Sequence, residues 1–182
     1  AANLVTRADV GPGDRVLVTG ASGGVGLAAV QIATARGARV TGVTSPSKAE
    51  AVRAAGAETT IDRDAVPEAG AFHAVVDVVG GPGFGAHLSA LRPGGHYAVS
   101  GAIAGPIVEA DLRAIYLNDL TLHGATYQPR DVFAGLVDHI LAGDLRPRIA
   151  RTYPLRDIAT AQEEFMTKTL AGKLVLIPGK TQ

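Results

Sequence analysis

The chain has 182 residues, a length typical of one domain. Lysine and arginine number 17, as do aspartate and glutamate, so the formal charge is zero, which argues against a nucleic-acid binder or a polybasic membrane-surface protein. The chain has no cysteine, which excludes disulfides, thiolate zinc sites and cysteine nucleophiles and fits a cytoplasmic location. It also has no apolar run of about 18 residues, so we expect no membrane-spanning segment.

Short apolar runs rich in β-branched residues alternate with longer helical patterns through most of the chain. The runs predict six strands, at 15–19, 39–44, 59–61, 74–79, 96–101 and 120–125. Helices are predicted between them at 25–36, 46–55, 84–91 and 112–116. Because strand and helix alternate, the pattern predicts an α/β fold of the Rossmann type, with a doubly wound parallel six-stranded sheet covered on both faces.

The last third of the chain is predicted to add further helices and a strand to this sheet. We expect a helix from an N-cap at Asp131 to a stop at Gly143, a strand at 148–155, a helix capped by Asp157 and a final strand at 172–178. The sheet should therefore occupy a core of about 14–126, and 127–182 should form a C-terminal extension of the same domain.

A glycine-rich turn follows the first predicted strand. Four of the seven residues from Gly20 to Gly26 are glycine, more than a plain strand-to-helix turn needs. Glycine lets the backbone approach a pyrophosphate, and the helix N-terminus offers free N–H groups and the positive end of its dipole. Gly26 should also let the helix pack closely on the strand. The turn therefore predicts a dinucleotide site with contacts from Ser22, Gly23, Gly24, Val25 and Gly26.

The end of the second predicted strand favours NADP over NAD. An NAD site usually carries an acid there for the ribose hydroxyls, whereas Thr44 and Ser45 stand here and the next acid is Glu50. Lys48 is predicted in the first turn of the next helix, where a cation opposes the helix dipole. A bound 2′-phosphate, contacted by Ser45, Lys48 and Arg63, would remove that conflict. The alternative for Lys48 is a solvated surface lysine.

Further cofactor contacts are expected at the carboxyl edge of the sheet, where ligands bind in such folds. Val79 and Gly80 end the fourth predicted strand, and Ser100 and Gly101 end the fifth, facing the nicotinamide ribose. Asp77, inside the fourth strand, is interpreted as structural. None of the five histidines has another histidine or an acid at zinc-ligand spacing, so we interpret them as structural or solvated and predict no metal site.

These motifs, in this order and spacing, resemble the coenzyme-binding half of the medium-chain dehydrogenases/reductases, closest to their zinc-independent quinone oxidoreductase (zeta-crystallin-like) branch. The matching segments are 10–14, 23–26, 30–33, 47–49, 56–57, 77–81, 91–95 and 172–176. One departure is Asp62-Arg63, where the family usually has Asn or Asp followed by Tyr. The glycine turn also resembles short-chain dehydrogenases, but none of the four tyrosines has the lysine four residues later that their catalysis needs.

The resemblance implies that 1–182 is an NAD(P)-binding domain of an oxidoreductase that transfers hydride between NADPH and a carbonyl, enone or quinone. It implies that Lys48 helps to bind the 2′-phosphate and that strand 120–125 forms a homodimer interface. It also implies an N-terminal catalytic domain that binds most of the small-molecule substrate. Since the chain begins at Ala1, we expect that domain to be absent and the chain alone to be inactive. A non-catalytic NADP-binding or sensing module is the alternative.

Overall fold

A parallel sheet of six strands forms the centre of the structure, a computed structural model that describes residues 1–179. The last three residues of the predicted C-terminal extension, 180–182, lie outside the described part. The strands are β1 (Arg15–Val18), β2 (Arg39–Val43), β3 (Thr59–Ile61), β4 (Phe72–Asp77), β5 (Leu91–Val99) and β6 (Thr121–Gly124). Their order is β3-β2-β1-β4-β5-β6, with every neighbouring pair parallel, which confirms the predicted fold class.

Helices cover the two faces of the sheet. They are α1 (Ala2–Arg7), α2 (Gly24–Ala35), α3 (Ala49–Ala54), α4 (Phe84–Ser89), α5 (Leu112–Tyr116), α6 (Arg130–Ala142) and α7 (Ile158–Met166). Val16 and Val18 of β1 enter the apolar cluster under α1 and α2, whereas Leu17 enters the cluster under α4, as the two-residue period of a strand requires. Within residues 1–179, no helix combines the length and the apolar character needed to cross a membrane.

Several boundaries differ from the predicted ones. β5 begins five residues early: Leu91 pairs with Phe72 and His96 pairs with Ala74, so the residues between them bulge out of the ladder. Gly94 allows this bulge because it adopts a φ of +74°. The Pro-Gly-Gly segment that predicts a helix stop therefore lies inside a strand, and α4 is shorter than expected.

The predicted helix caps also differ. Pro129, not Asp131, is the N-cap of α6, and the Asp131 carboxylate lies in the first turn, where it complements the helix dipole. Asp157 is the N-cap of α7 but makes no side-chain capping bond, because a 3₁₀ turn leads into the helix. α1 has no predicted counterpart; six residues are too few to show a helical period.

The C-terminal part forms a second, smaller sheet. β7 (Ile149–Pro154) and β8 (Lys173–Ile177) pair in parallel, and we call these two strands the C-terminal ribbon. An isolated parallel bridge joins Gly172, just before β8, to Gly23 in the glycine turn, and the Gly172 N–H donates to the Ser22 carbonyl at 3.0 Å. The ribbon is therefore attached to the turn that opens α2.

A buried carboxylate connects the central strands at their carboxyl ends. Asp77, at the end of β4, has no exposed surface. It accepts hydrogen bonds from the hydroxyls of Thr19 (2.5 Å) and Tyr97 (2.6 Å) and from the backbone N–H groups of Val79 and Gly80. Burial and the Asp77 charge raise the pKa of Tyr97, so its hydroxyl keeps the proton that it donates. The interpretation of Asp77 as a structural residue agrees with these contacts.

Removing donors or the acceptor from this network should destabilise the fold in graded steps. We expect Tyr97→Phe to lower the free energy of unfolding by ~1.5–3 kcal/mol, the worth of a hydrogen bond to a charged group. Asp77→Ala should cost more, because it leaves several buried donors without an acceptor. Tyr116→Phe is the matched control, since that ring is 63% exposed. Urea denaturation measures all three, and equal effects of the two tyrosine variants would contradict the assignment.

Candidate cofactor site

The glycine turn leaves backbone N–H groups free at the start of α2. Gly23 is the N-cap and offers no side-chain capping bond, and its own N–H donates to the Gly20 carbonyl at 2.9 Å. Gly23 is exposed and Val25 is 39% exposed, so the first turn of the helix faces solvent. Uncapped N–H groups at the positive end of a helix form an anion site, which fits the pyrophosphate expected here.

Gly26 allows α2 to lie directly on this turn. A Cβ at Gly26 would lie 2.2 Å from the Gly20 carbonyl oxygen and 2.7 Å from the Ala21 Cα. Because both neighbours are backbone, no side chain fits there unless the turn moves. The close packing of helix and strand expected from the sequence is present.

Thr44 supplies an unpaired polar atom at the carboxyl end of β2. The residue is 3% exposed, and its hydroxyl has no hydrogen-bond partner among the described residues. An unsatisfied buried hydroxyl costs about 1–3 kcal/mol and is rare in folded proteins. Thr44 therefore fits a polar ligand such as the ribose of a nucleotide, and the adjacent Ser45 is half-buried.

Lys48 lies in a different local structure from the one predicted. Residues Pro46–Lys48 form a 3₁₀ turn with Ser45 as its N-cap, and Lys48 is the N-cap of α3. Lys48 is therefore outside the first turn of an α-helix, and the expected conflict with a helix dipole does not arise. The Ser45 hydroxyl makes no capping bond but lies 3.2 Å from that of Ser47.

Lys48, just after β2, lies in a region of positive charge, and the ammonium of the neighbouring Lys168 lies 3.9 Å from the centroid of the Phe165 ring. The Lys48 ammonium donates to the Lys168 carbonyl at 2.5 Å. Burial, followed by the charges of Arg63 and Lys168, lowers the pKa of Lys48. Like charges gathered at one place repel each other, so this cluster suits an anionic ligand. Sequence reasoning missed Lys168, because it lies in the loop after α7 and only the fold brings it to Lys48.

A fourth cation lies over the start of α2. A Cβ built on Gly24 would be 1.9 Å from Cε of Lys173 and 2.8 Å from its Nζ. The lysine side chain therefore crosses the helix N-terminus at the glycine turn. The parallel bridge between Gly23 and Gly172 explains this position, because it places the following residues, Gly24 and Lys173, side by side. No local sequence signal connects positions so far apart.

The residues predicted to end the fourth and fifth strands lie just beyond them, because β4 ends at Asp77 and β5 at Val99; they meet at the carboxyl edge of the sheet. The Ser100 N–H donates to the Asp77 carbonyl at 3.0 Å, and a Cβ at Gly101 would lie 2.6 Å from the Val78 carbonyl oxygen. Gly80 has a φ of +64°, a conformation that favours glycine, and Asp77 holds its N–H. The Val79 carbonyl accepts from Ala104 in the loop after β5. Together these residues form a glycine-lined rim beside the carboxyl end of β1, the strand that leads into the glycine turn.

Four of the five histidines have a histidine or a carboxylate beside them in space, which their spacing in the sequence does not suggest. His96 contacts His123 at 3.0 Å, His139 contacts Asp144 at 3.1 Å, and His73 lies 3.5 Å from Asp14. Two of these pairs join residues far apart in the chain, so sequence spacing could not reveal them. Among residues 1–179, no three side chains of His, Cys, Asp or Glu come together as a metal-ligand set.

Comparisons with known proteins agree on the family. The family model "zinc-binding dehydrogenase" matches residues 24–142. The acryloyl-coenzyme A reductase of Metallosphaera sedula is 34% identical over 93% of this chain and 52% of its own length. The quinone oxidoreductase of Pseudomonas aeruginosa is 29% identical over 91% of this chain and 57% of its own.

A solved structure from Sinorhizobium meliloti has 42% identity and a TM-score of 0.91, covering 98% of this chain and 52% of that one. The chain thus spans about half the length of the relatives it matches. The zinc ligands that the family description implies are not gathered within the described residues. The family model matches more than half of the chain, and the chain has the nucleotide-binding fold with its glycine turn. The chain therefore belongs to the zinc-binding dehydrogenases of the medium-chain dehydrogenase/reductase family.

Proposed function

We propose that the chain is the NADP(H)-binding domain of an oxidoreductase that passes hydride between NADPH and a carbonyl, enone or quinone. The observation that supports the choice of NADP is the position of Lys48 just after β2, where no acid stands and where its ammonium contacts the Lys168 carbonyl. Arg63 and Lys168 add positive charge to this cation cluster. A 2′-phosphate bound there would relieve the mutual repulsion of the cations and accept charge-assisted hydrogen bonds. NADH lacks that phosphate, so it would leave the cluster uncompensated.

The other predicted residues divide the cofactor between them. Backbone N–H groups of Gly24 and Val25, next to the N-cap Gly23, would hold the pyrophosphate, with the Lys173 ammonium above them as a counter-charge. Ser22 borders the turn, and the unpaired Thr44 hydroxyl would bind the adenosine ribose together with Ser45.

At the other end of the cofactor, the rim formed by Val79, Gly80, Ser100 and Gly101 would orient the nicotinamide. The bound cofactor supplies the hydride. The chain's own residues bind it, orient it and keep its charged groups paired.

The substrate belongs to the same proposal. The names of two relatives, acryloyl-coenzyme A reductase and quinone oxidoreductase, describe reductions of a conjugated thioester and of a quinone. Hydride transfer requires the substrate at ~3–3.5 Å from the nicotinamide in a site that excludes water. We propose that residues outside these 182 supply most of that pocket, that the chain alone binds NADPH with little turnover, and that the protein works in the cytoplasm.

The glycine turn should be essential for cofactor binding. We expect Gly26→Ala to abolish the rise in melting temperature that NADPH produces, because its Cβ would displace the Gly20 carbonyl. At a hundredfold excess over Kd, that stabilisation is ~2.7 kcal/mol in the unchanged chain. Gly85→Ala is the matched control: it lies in α4, and no atom stands within 4 Å of its added Cβ. A full NADPH effect in Gly26→Ala would contradict this site.

Substitution of Lys48 and of Lys173 should distinguish selectivity for the 2′-phosphate of NADPH from affinity for both cofactors. We expect Lys48→Met to weaken NADPH about tenfold or more, since a charge-assisted contact is worth ~1.5–3 kcal/mol, and to leave NADH nearly unchanged. Lys173→Met should weaken both cofactors by the same factor, because both carry the pyrophosphate. Titration calorimetry with each cofactor measures these effects.

The control for both lysine variants is Arg53→Met, which removes a cation bonded to Thr60 instead. Equal affinities of the unchanged chain for NADPH and NADH would refute the choice of NADP. An effect of Lys173→Met on NADPH alone would place its ammonium at the 2′-phosphate and not at the pyrophosphate.

We also propose a homodimer through β6. β6 is the last strand of the sheet, and Thr121, Leu122 and Gly124 are exposed along it. An exposed strand edge pairs readily with another strand, and a two-fold axis would join two sheets into one. Sedimentation velocity should give about twice the chain mass of 18.5 kDa. A single monomeric species at high concentration would exclude the interface.

A further inference from the structure

Two histidines form a pair on the outer strands of the sheet, separate from the cofactor residues. The Ala98–His123 register sets His96 of β5 and His123 of β6 on the same face. Nδ1 of His96 lies 3.0 Å from Nε2 of His123, and the two rings are nearly parallel, 15° apart with centroids at 5.3 Å. Both side chains are half-buried, so water still reaches them.

The surroundings of His123 favour its neutral form. Burial lowers the pKa of His123, and the charges of His96 and Arg7 lower it further, while Asp9 acts in the opposite direction. Arg7 and Asp9 come from the end of α1 and the residues after it. A neutral imidazole has a free lone pair, and that is the form that binds metal ions.

We propose that His96 and His123 chelate one divalent transition-metal ion of the Cu²⁺, Ni²⁺ and Zn²⁺ class. Metal–nitrogen bonds of ~2.0–2.1 Å at a tetrahedral angle require two ligand nitrogens roughly 3.3 Å apart. The observed 3.0 Å is slightly shorter than that separation. Water completes the coordination, because two imidazoles are the protein's whole contribution among the described residues.

Metal binding by the two histidines needs no reactant other than the ion and water. In the metal-free pair one ring donates its N–H proton to the facing nitrogen of the other. On metal binding, that proton moves to the outer nitrogen of the same ring through solvent, so two neutral rings release no net proton. A ring that is protonated beforehand releases one. Affinity should therefore fall as pH falls.

The ion would cross-link the last two strands on one face of the sheet. Among the described strands of one chain, β6 pairs only with β5. A metal bridging the two strands adds a second attachment. We expect the two imidazoles to bind Cu²⁺ more tightly than either Ni²⁺ or Zn²⁺, the usual order for nitrogen ligands.

Calorimetric titration of the untagged protein with Zn²⁺ and with Cu²⁺ tests the site. We expect one ion per chain. His96→Gln and His123→Gln should each weaken binding by about tenfold or more, since a lost ligand costs at least as much as a lost outer-shell partner. His139→Gln is the matched control, because His139 also contacts another side chain, that of Asp144, but lies on α6 and away from the pair. No binding to the unchanged protein, or binding by both pair variants as tight as that of the unchanged protein, would overturn the proposal.

A spectroscopic measurement covers the case in which a variant fails to fold. The electron paramagnetic resonance spectrum of Cu²⁺ bound to the unchanged protein should show hyperfine coupling to two imidazole nitrogens. Coupling to one nitrogen or to none would overturn the site. Neither outcome depends on NADP(H), so this test and the tests of the cofactor site can fail independently.

Discussion

The buried carboxylate of Asp77 is the interaction on which the centre of the structure depends. It joins the end of β1 through Thr19, the turn after β4 through two backbone N–H groups, and β5 through Tyr97. A charge without exposed surface is tolerated only because it is fully hydrogen-bonded. These bonds set the position of the loop after β4 relative to the glycine turn, at the point where the strand order reverses. That is where open α/β sheets bind their ligands.

The proposed cofactor site has positive charge at two separate places, each suited to one phosphate-bearing part of the cofactor. Near α2, uncapped N–H groups and Lys173 surround one anion position. Near the end of β2, Lys48 and the positive charge of Arg63 and Lys168 mark the other anion position that we propose. The C-terminal segment reaches both, because the Lys168 carbonyl accepts from Lys48 and Gly172 bridges to Gly23. The extension predicted as an addition to the domain thus forms part of the wall of the site.

Local pattern predicted most of the fold, and the errors have local causes. Five of the six central strands lie close to their predicted positions, because buried strands and glycine turns carry short-range signals. β5 differs, since Pro-Gly-Gly usually ends an element and here forms a bulge. Lys48 differs as well: Pro46 predicts a helix start, but the chain makes a 3₁₀ turn before α3. Both errors come from turn chemistry that allows more than one backbone conformation.

The sequence by itself determined the α/β class, the position of the glycine turn between β1 and α2, and the lack of an acid directly after β2. Each depends on residues within a few positions of each other, where periodicity and backbone preference act. Only the tertiary structure decided which distant side chains meet. It brought Lys168 to Lys48, Lys173 to Gly24, Tyr97 to Asp77 and His96 to His123. Such contacts follow from strand order and register, which arise from packing over the whole sheet and leave no trace in local spacing.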